Sequence, residues 1–290
     1  TELINPDSMV MDGSDIYITQ QAEVSIYDAK TFKLKAKFGK KGLGPREIPP
    51  FPIPMGGVPL MKVTPQPDKL FIAAMGKILY FTKEGQFISE TKFPAQRMQS
   101  FFNLFPLGSD IFCQQNVFEN QEFFISAALV DQNFKTKKEL KRRKVETHGG
   151  KIDMIGFALM LDVYRDEIFI GGDGLSIDVY DRTGKFLRQI KHPHEPVKFT
   201  DDMKKELDEA MKYMFKNMYE QIKNVIYYPD YLPVFFGNNF QFFGDYLYVF
   251  TQAHEGDNRE LFIFKLDGTL VKKTSVPLKM VKFNLPYPYD

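Results

Sequence analysis

The chain has 290 residues, of which 43% are hydrophobic and 26% are charged, as is usual for a globular protein with a sizeable core. Thirty-eight basic and 37 acidic residues leave a formal charge of +1, which excludes a global field that attracts nucleic acid, anionic membranes or acidic substrates. The single cysteine, Cys113, excludes an intrachain disulfide and is predicted to be a small buried hydrophobe rather than a nucleophile. No stretch approaches the roughly 20 apolar residues of a membrane-spanning helix.

Five repeat units follow one another along the chain. Each contains an alternating strand, a variable loop, a second alternating strand, a polar turn and a third strand, and one more apolar run precedes each unit. The second strands begin near Asp15, Lys69, Asp110, Glu167 and Tyr246. Four strands per unit in up-and-down order predict the blades of an all-β propeller. In such a blade the first strand lines the central channel and the last faces outward.

The predicted outer strands of these units are rich in charged residues. The runs KLKAKF and KTKKEL are rich in lysine, as solvated edge strands are. The second run belongs to the basic stretch Lys135 to Lys144, which raises nucleic-acid binding as an alternative. Aromatic residues that would stack on bases are missing from the stretch itself. We therefore interpret it as a charged edge and expect no nucleic-acid partner.

The stretch FGKKGLGPREI, which begins at Phe38, lies between the first two units. A phosphate-binding loop needs G-x-x-x-x-G-K-[ST] ahead of a helix, and the prolines that follow here forbid a helix. Gly39, Gly42 and Gly44 allow positive φ where the chain turns from one blade into the next. The stretch therefore predicts a corner and not a phosphate site.

A family resemblance rests on two stretches. FGKKGLGPREI resembles the FGxxGxGPGEF signature that joins blades in bacterial six-bladed propellers of the NHL-repeat type, although Arg46 and Ile48 stand where the signature has Gly and Phe. The block from Tyr227 to Gln252 resembles the P-x-Y-x-P segment before a late blade in exported propellers of that group. The resemblance implies six blades and an exported location, periplasmic or extracellular, whose targeting segment is not in this sequence. It implies no activity.

Only five of the six implied blades can be counted. Either both termini assemble the sixth blade, or the chain is shorter than its natural parent; we favour the second, because residues 1–7 cannot supply three strands. A blade completed by another chain would make the protein a subunit of a larger assembly. We treat residues 1–290 as one propeller domain.

A helical insertion is predicted at residues 199–224, between blades four and five. Its apolar residues recur at steps of three or four, and Thr200 is the candidate N-cap with Asp201 and Asp202 in the first turn. The stripe consists of Met203, Leu207, Ala210, Met211, Met214, Phe215, Met218 and Ile222. We expect it to pack on its own domain, with an adaptable partner-binding surface as the alternative.

The long, irregular connections lie between the second and third strands of a blade and between successive blades. Long loops on a rigid scaffold are the usual place for binding, so their face is the predicted functional one. All four histidines, His148, His192, His194 and His254, lie on these connections. His192, His194, His254 and Arg46 are the candidate binding residues.

Two functions remain open from the sequence. The first is a non-catalytic binding or scaffolding propeller with a protein or small-molecule partner. The alternative is a metal-dependent lactonase, hydrolase or lyase at the channel mouth, since NHL-type propellers include such enzymes, but none of their ligand sets can be matched here. His192 and His194 could bind Zn²⁺, and Asp162, Asn238 and Asn239 could bind Ca²⁺. We expect no catalytic residues, no metal and no cofactor, with Ca or Zn as the alternative.

Overall fold

The structure is a computed structural model that describes residues 6, 8–20, 22–49, 61–94, 101–153, 159–215, 219–235 and 240–277. The chain divides into two compact units. The first consists of Thr1–Pro54, Pro59–Ile111 and Val130–Lys135, and the second of Met55–Val58, Phe112–Leu129 and Thr136–Asp290. No helix in the described parts of the chain is long and apolar enough to cross a membrane.

In the described residues, five four-stranded sheets follow one another along the sequence, and in each the hydrogen-bonded neighbours are consecutive strands. The first two sheets comprise β1 (Ser8–Asp12), β2 (Asp15–Gln20), β3 (Glu23–Asp28), β4 (Leu34–Phe38), β5 (Lys62–Pro65), β6 (Leu70–Ala74), β7 (Lys77–Phe81) and β8 (Phe87–Lys92). The third comprises β9 (Phe101–Leu107), β10 (Asp110–Glu119), β11 (Glu122–Val130) and β12 (Thr136–Lys144), and it contributes residues to both units.

Short strands precede and follow the fourth sheet. β13 (Thr147–His148) and β14 (Lys151–Asp153) lead to β15 (Leu161–Tyr164), β16 (Glu167–Gly171), β17 (Ser176–Tyr180) and β18 (Phe186–Lys191). After the helical region, the fifth sheet comprises β22 (Phe240–Phe243), β23 (Tyr246–Glu255), β24 (Asn258–Lys265) and β25 (Leu270–Pro277). The five up-and-down sheets confirm the five predicted blades. The sequence that bears on a sixth lies at the termini, largely outside the described residues.

The turn between the third and fourth strands is built alike in most blades. Asp131, Asp181 and Asp267 each accept backbone N–H groups two to four residues later, at 2.8 to 3.0 Å. Aspartate stabilises such turns because its short carboxylate reaches those donors. A bulge recurs beside the same turn in the first, second, fourth and fifth sheets. The polar turn that the sequence shows in each repeat unit therefore corresponds to these hairpins.

The corner between the first two blades is held by backbone and side-chain hydrogen bonds. Ile48 N donates to Lys40 O at 2.8 Å, Gly42 N donates to Ile48 O at 3.1 Å, and Ile48 is buried in the core. Gly39 has a φ of 96°, but Gly42 and Gly44 do not have positive φ. Arg46 has a φ of 63° instead. The backbone is thus left-handed at the position where the family signature carries glycine.

The region between the fourth and fifth sheets holds two helices, α1 (Asp201–Phe215) and α2 (Tyr219–Ile222), and a 3₁₀ turn at Lys223–Val225. Short strands enclose them: β19 (Val197–Lys198) pairs with β21 (Tyr231–Leu232), and β20 (Ile226–Tyr227) pairs with β14. Four residues of the predicted stripe, Met203, Leu207, Met211 and Ile222, pack in one apolar cluster with Phe199, Tyr219, Ile226 and Leu232. The stripe therefore contacts apolar residues of its own region.

We expect Thr200→Ala to lower the free energy of unfolding by about 1 kcal/mol, because Thr200 caps α1. Thr200 Oγ1 accepts a hydrogen bond from Met203 N at 3.3 Å, and Thr200 O accepts one from Lys204 N at 3.0 Å. Urea denaturation, with hydrogen exchange at the first turn of α1, measures the effect. Thr200→Ser keeps the hydroxyl and is the matched control; an equal loss in both variants would contradict the cap.

Candidate binding site

A small cleft opens among the long connections of the second unit, with a cavity volume of about 130 Å³. Its walls come from four separate segments: the end of β12, the residues before β15, the loop between β16 and β17, and the residues before β22. Three of these segments join strands two and three of a blade or join successive blades, and the fourth is the end of the strand β12.

A glycine-rich loop, Gly171 to Gly174, forms one wall of the cleft. A Cβ at Gly171 would lie 2.8 Å from Met160 Cβ and 3.0 Å from the Phe235 ring, so this wall closes only because glycine has no side chain. Gly171 N donates to Met160 O at 2.8 Å, which continues the pairing of β15 and β16 by one residue. This wall of the cleft is therefore packed closely against Met160 and Phe235.

Arg143 supplies the positive charge of the cleft. Burial lowers the pKa of its guanidinium, and the carboxylates of Asp173 and Asp153 act in the opposite direction. Arginine remains charged in proteins even so. A cation that loses part of its hydration in a cleft is favourable for an anion that replaces the lost water. Asp173 also lines the cleft, so the charge of the guanidinium is partly balanced by a carboxylate of the protein.

The strand β12 separates its cations by face. Lys141 and Arg143 are half-buried, whereas Arg142 and Lys144 are exposed, as the two-residue period of a strand requires. Lys141 pairs with Asp178 at 2.7 Å, and Arg142 pairs with Glu119. Arg143 is thus the member of the predicted basic stretch that lines the cleft. Pairing of its neighbours with carboxylates agrees with the interpretation of β12 as a charged edge.

Gln114 positions the residues before β15, which form another part of the cleft lining. Its side chain is buried on β10, and its Oε1 accepts a hydrogen bond from Leu159 N at 2.9 Å. Leu159 lines the cleft. A buried N–H without a hydrogen-bond partner is costly, so this bond holds the segment before β15 in place. Cys113, next to Gln114, is buried as predicted, and burial raises its pKa to about 12.

Two predicted binding residues meet at the fifth sheet. The rings of His192 and His194 lie 5.1 and 6.4 Å from the Phe262 ring on β24. The side chain of His194 is 3% exposed, and its Nε2 lies 3.1 Å from Glu260 Oε2, but without the alignment of a hydrogen bond. This contact fixes the segment after β18 against β24.

Glu260 is the centre of the charges around His194. Its Oε2 accepts a hydrogen bond from Thr251 at 2.6 Å, and its Oε1 pairs with Lys273 at 2.7 Å. Burial raises the pKa of Glu260, but these bonds outweigh it and the pKa lies below its usual range. The carboxylate of Glu260 therefore finds its ion-pair and hydrogen-bond partners mainly within the protein, as a buried charge requires.

The other candidate residues have contacts of their own. His254 is exposed near the end of β23, where its Nδ1 lies 3.2 Å from Gln252 O. His148 stacks on Tyr227 with ring centres 3.8 Å apart. Arg46 belongs to the first unit, where its guanidinium lies 5.0 Å from the centre of the Phe87 ring.

The residues predicted as metal ligands form no complete site in the described ranges. Asp162 lies on the inner strand β15, where its Oδ1 accepts a hydrogen bond from Val163 N at 2.8 Å. Asn238 and Asn239 lie outside the described residues. Among the residues that the structure does describe, no group of three or more His, Cys, Asp or Glu side chains could hold a metal ion.

Comparison with known proteins adds evidence on fold. No family model matches the chain, and no curated protein matches it. A crystal structure of a protein of unknown function from Bacteroides caccae superposes on 97% of this chain and 84% of its own, with 12% identity and a TM-score of 0.50. At that identity the likeness concerns the fold alone.

Two further structures are more distant. The WD40 domain of Neurospora crassa Pan2 has a TM-score of 0.44 and 12% identity, and Kluyveromyces lactis Hsv2 has a TM-score of 0.41 and 13% identity. The matches cover 94% and 90% of this chain but only 66% and 59% of those chains. Neither supports a conclusion about function. The five four-stranded sheets and the Bacteroides caccae likeness together show that this chain has a β-propeller fold.

Proposed function

We propose that the protein is a non-catalytic binding or scaffolding propeller that engages an anionic group of its partner through Arg143. The observation that carries the proposal is the cleft itself: a partly desolvated arginine beside a glycine loop, among the long connections. A volume of about 130 Å³ suits one carboxylate-bearing side chain or a comparably small molecule better than a large ligand. The partner is therefore an acidic peptide segment or a small organic acid.

The proposal includes the finer points of the family resemblance. These are six blades, the NHL-repeat type, an insertion at residues 199–224 and an exported location. His192, His194 and His254 remain candidate contacts of the same loops, and Arg46 is a candidate of the first unit. The metal-dependent alternative has no specific observation in its favour, so we do not develop it.

We expect Arg143→Met to weaken binding of N-acetyl-L-glutamate at least about tenfold, because a hydrogen bond to a charged group is lost. The probe carries the free acidic side chain of glutamate and a blocked α-amino group, and its binding is measured by NMR chemical-shift titration. In the unmodified protein, the amide signals of residues that line the cleft, such as Gly172 and Leu159, should shift when the probe binds.

Arg142→Met is the matched control, since Arg142 is the next residue on the same strand but lies on its exposed face. We expect this variant to bind the probe as the unmodified protein does. If both variants lose binding equally, the effect is one of general charge and the cleft is not the site. Unchanged binding in Arg143→Met would overturn the proposal as well.

A further inference from the structure

A second cavity, of about 350 Å³, lies in the first unit. It lies beside the short turns of the second and third blades, which the sequence did not predict to carry function. Its floor is a row of cross-strand neighbours: Phe71 on β6 pairs with Tyr80 on β7, and Tyr80 pairs with Ser89 on β8. Directly paired residues project to the same side of a sheet. The floor therefore combines two aromatic rings with a hydroxyl.

A chain of hydrogen bonds fixes the polar wall. Tyr80 Oη donates to Gln132 Oε1 at 3.1 Å, and Gln132 Nε2 donates to Ser109 O at 2.9 Å. These two bonds determine the orientation of the Gln132 amide. Burial raises the pKa of Tyr80, so its phenol stays protonated at neutral pH and keeps its donor. The wall thus offers pre-oriented polar groups to a ligand.

Two further side chains determine which ligand groups this cavity can bind. Among its ten lining residues Lys69 alone carries a charge, and its Nζ lies 5.1 Å from the centre of the Tyr80 ring. Gln66 also lines the cavity, and its Oε1 is buried without a hydrogen-bond partner in the described part of the chain. A buried acceptor left unpaired is costly. Rotation about the soft terminal torsion of glutamine turns this amide toward a ligand donor.

We propose that this cavity binds a small hydroxylated carboxylate of monosaccharide size, such as a sugar acid. The carboxylate pairs with Lys69, a ligand hydroxyl donates to Gln66, and the aromatic floor contacts the apolar face of the ring. The volume lies at the lower end of the roughly 300 to 1,000 Å³ of small-molecule sites. A simple carboxylate such as acetate satisfies Lys69 but offers Gln66 no donor, whereas a neutral sugar does the reverse.

The test is an NMR titration of the full chain with D-glucuronate, D-glucose and acetate. It is carried out in the Arg143→Met background, so that a carboxylate bound at the other cleft does not contribute. We expect glucuronate to bind more tightly than glucose or acetate and to shift the amide signals of Ser89 and Ser109. Failure here leaves the proposed role of Arg143 untouched, because the two cavities lie in different units.

Variants separate the two halves of the recognition. Lys69→Met should weaken glucuronate binding roughly three- to tenfold and leave glucose binding unchanged, since only a partly exposed charge pair is lost. Lys33→Met, at an exposed lysine outside the cavity, is the matched control and should change neither. Equal affinity for glucuronate and acetate would overturn the proposal. So would the same result from both lysine variants, or an absence of shifts at Ser89 and Ser109.

Discussion

Gly39→Ala is expected to lower the free energy of unfolding by about 3 kcal/mol or more, because it combines two separate penalties. Gly39 has a φ of 96°, a backbone conformation that side chains rarely adopt. A Cβ at this position would also lie 2.5 Å from Ala22 O and 3.2 Å from Glu23 Cα. Both contacts are backbone atoms at the start of β3, which pairs with β4. Relief therefore requires movement of the sheet and not only of a side chain.

Gly13→Ala is the matched control. Gly13 also has positive φ, at 58°, but a Cβ there would meet nothing within 4 Å. We expect only the conformational cost of about 1 to 2 kcal/mol for an L-residue in the left-handed region. Urea denaturation of both variants gives the difference. Equal losses would show that the close approach at Gly39 contributes nothing.

The architecture was predictable because its signal is repeated. Each blade alternates apolar and polar residues over its inner strands and places Asp, Thr or Gly in its hairpin turns. A single strand such as KILYF is ambiguous, but the same order of strand, loop, strand and turn five times over is not. The stripe of α1 was readable for the same reason, since Met203, Leu207 and Met211 recur at helical spacing and lie together in one cluster.

The corner that begins at Phe38 shows that a sequence signature can predict a turn without predicting which of its residues are left-handed. The sequence indicated a turn, and the structure has one, but the left-handed residues could not be assigned from glycine alone. Arg46 has a φ of 63° where the family signature has glycine, whereas Gly42 and Gly44 do not have positive φ. Arg46 is held there because its N–H donates to Glu90 Oε2 at 3.0 Å and its guanidinium lies over Phe87. Both partners are distant in the sequence.

The candidate cleft was predictable as a region but not as a set of residues. The long connections led to a prediction for this class of segments, and the histidines led to His192 and His194, which are not among the residues that line the cleft. Arg143 could not be predicted as a cleft residue, because it belongs to a basic run and composition alone does not determine which cations of a strand face a neighbouring loop. The alternation of exposed and half-buried residues along β12, beside the glycines of IGGDG, is the signal that distinguishes it.

Lys77→Met is expected to lower the free energy of unfolding by about 3 kcal/mol, because it breaks a buried ion pair from one side. Lys77 is 4% exposed. Its Nζ donates to Gly44 O at 3.0 Å and lies 3.2 Å from Glu90 Oε2. The variant leaves Gly44 O without this donor and leaves Glu90 with less compensation for its charge. Lys37→Met is the control, since Lys37 and Glu23 are partly exposed and such pairs contribute about 1 kcal/mol or less.

The pH dependence of stability provides an independent test of the same network. The Arg46 N–H, above all, and Lys77 hold the pKa of Glu90 below its usual range, while burial acts in the opposite direction. Because the folded pKa is the lower one, the stabilisation is complete above the unfolded value of about 4.3 and is lost as the pH falls through the folded pKa. Glu90→Gln should therefore flatten the decline in stability below about pH 5. If its acid profile parallels that of the unmodified protein, and if Lys77→Met and Glu90→Gln are additive, the corner is not held by this pair.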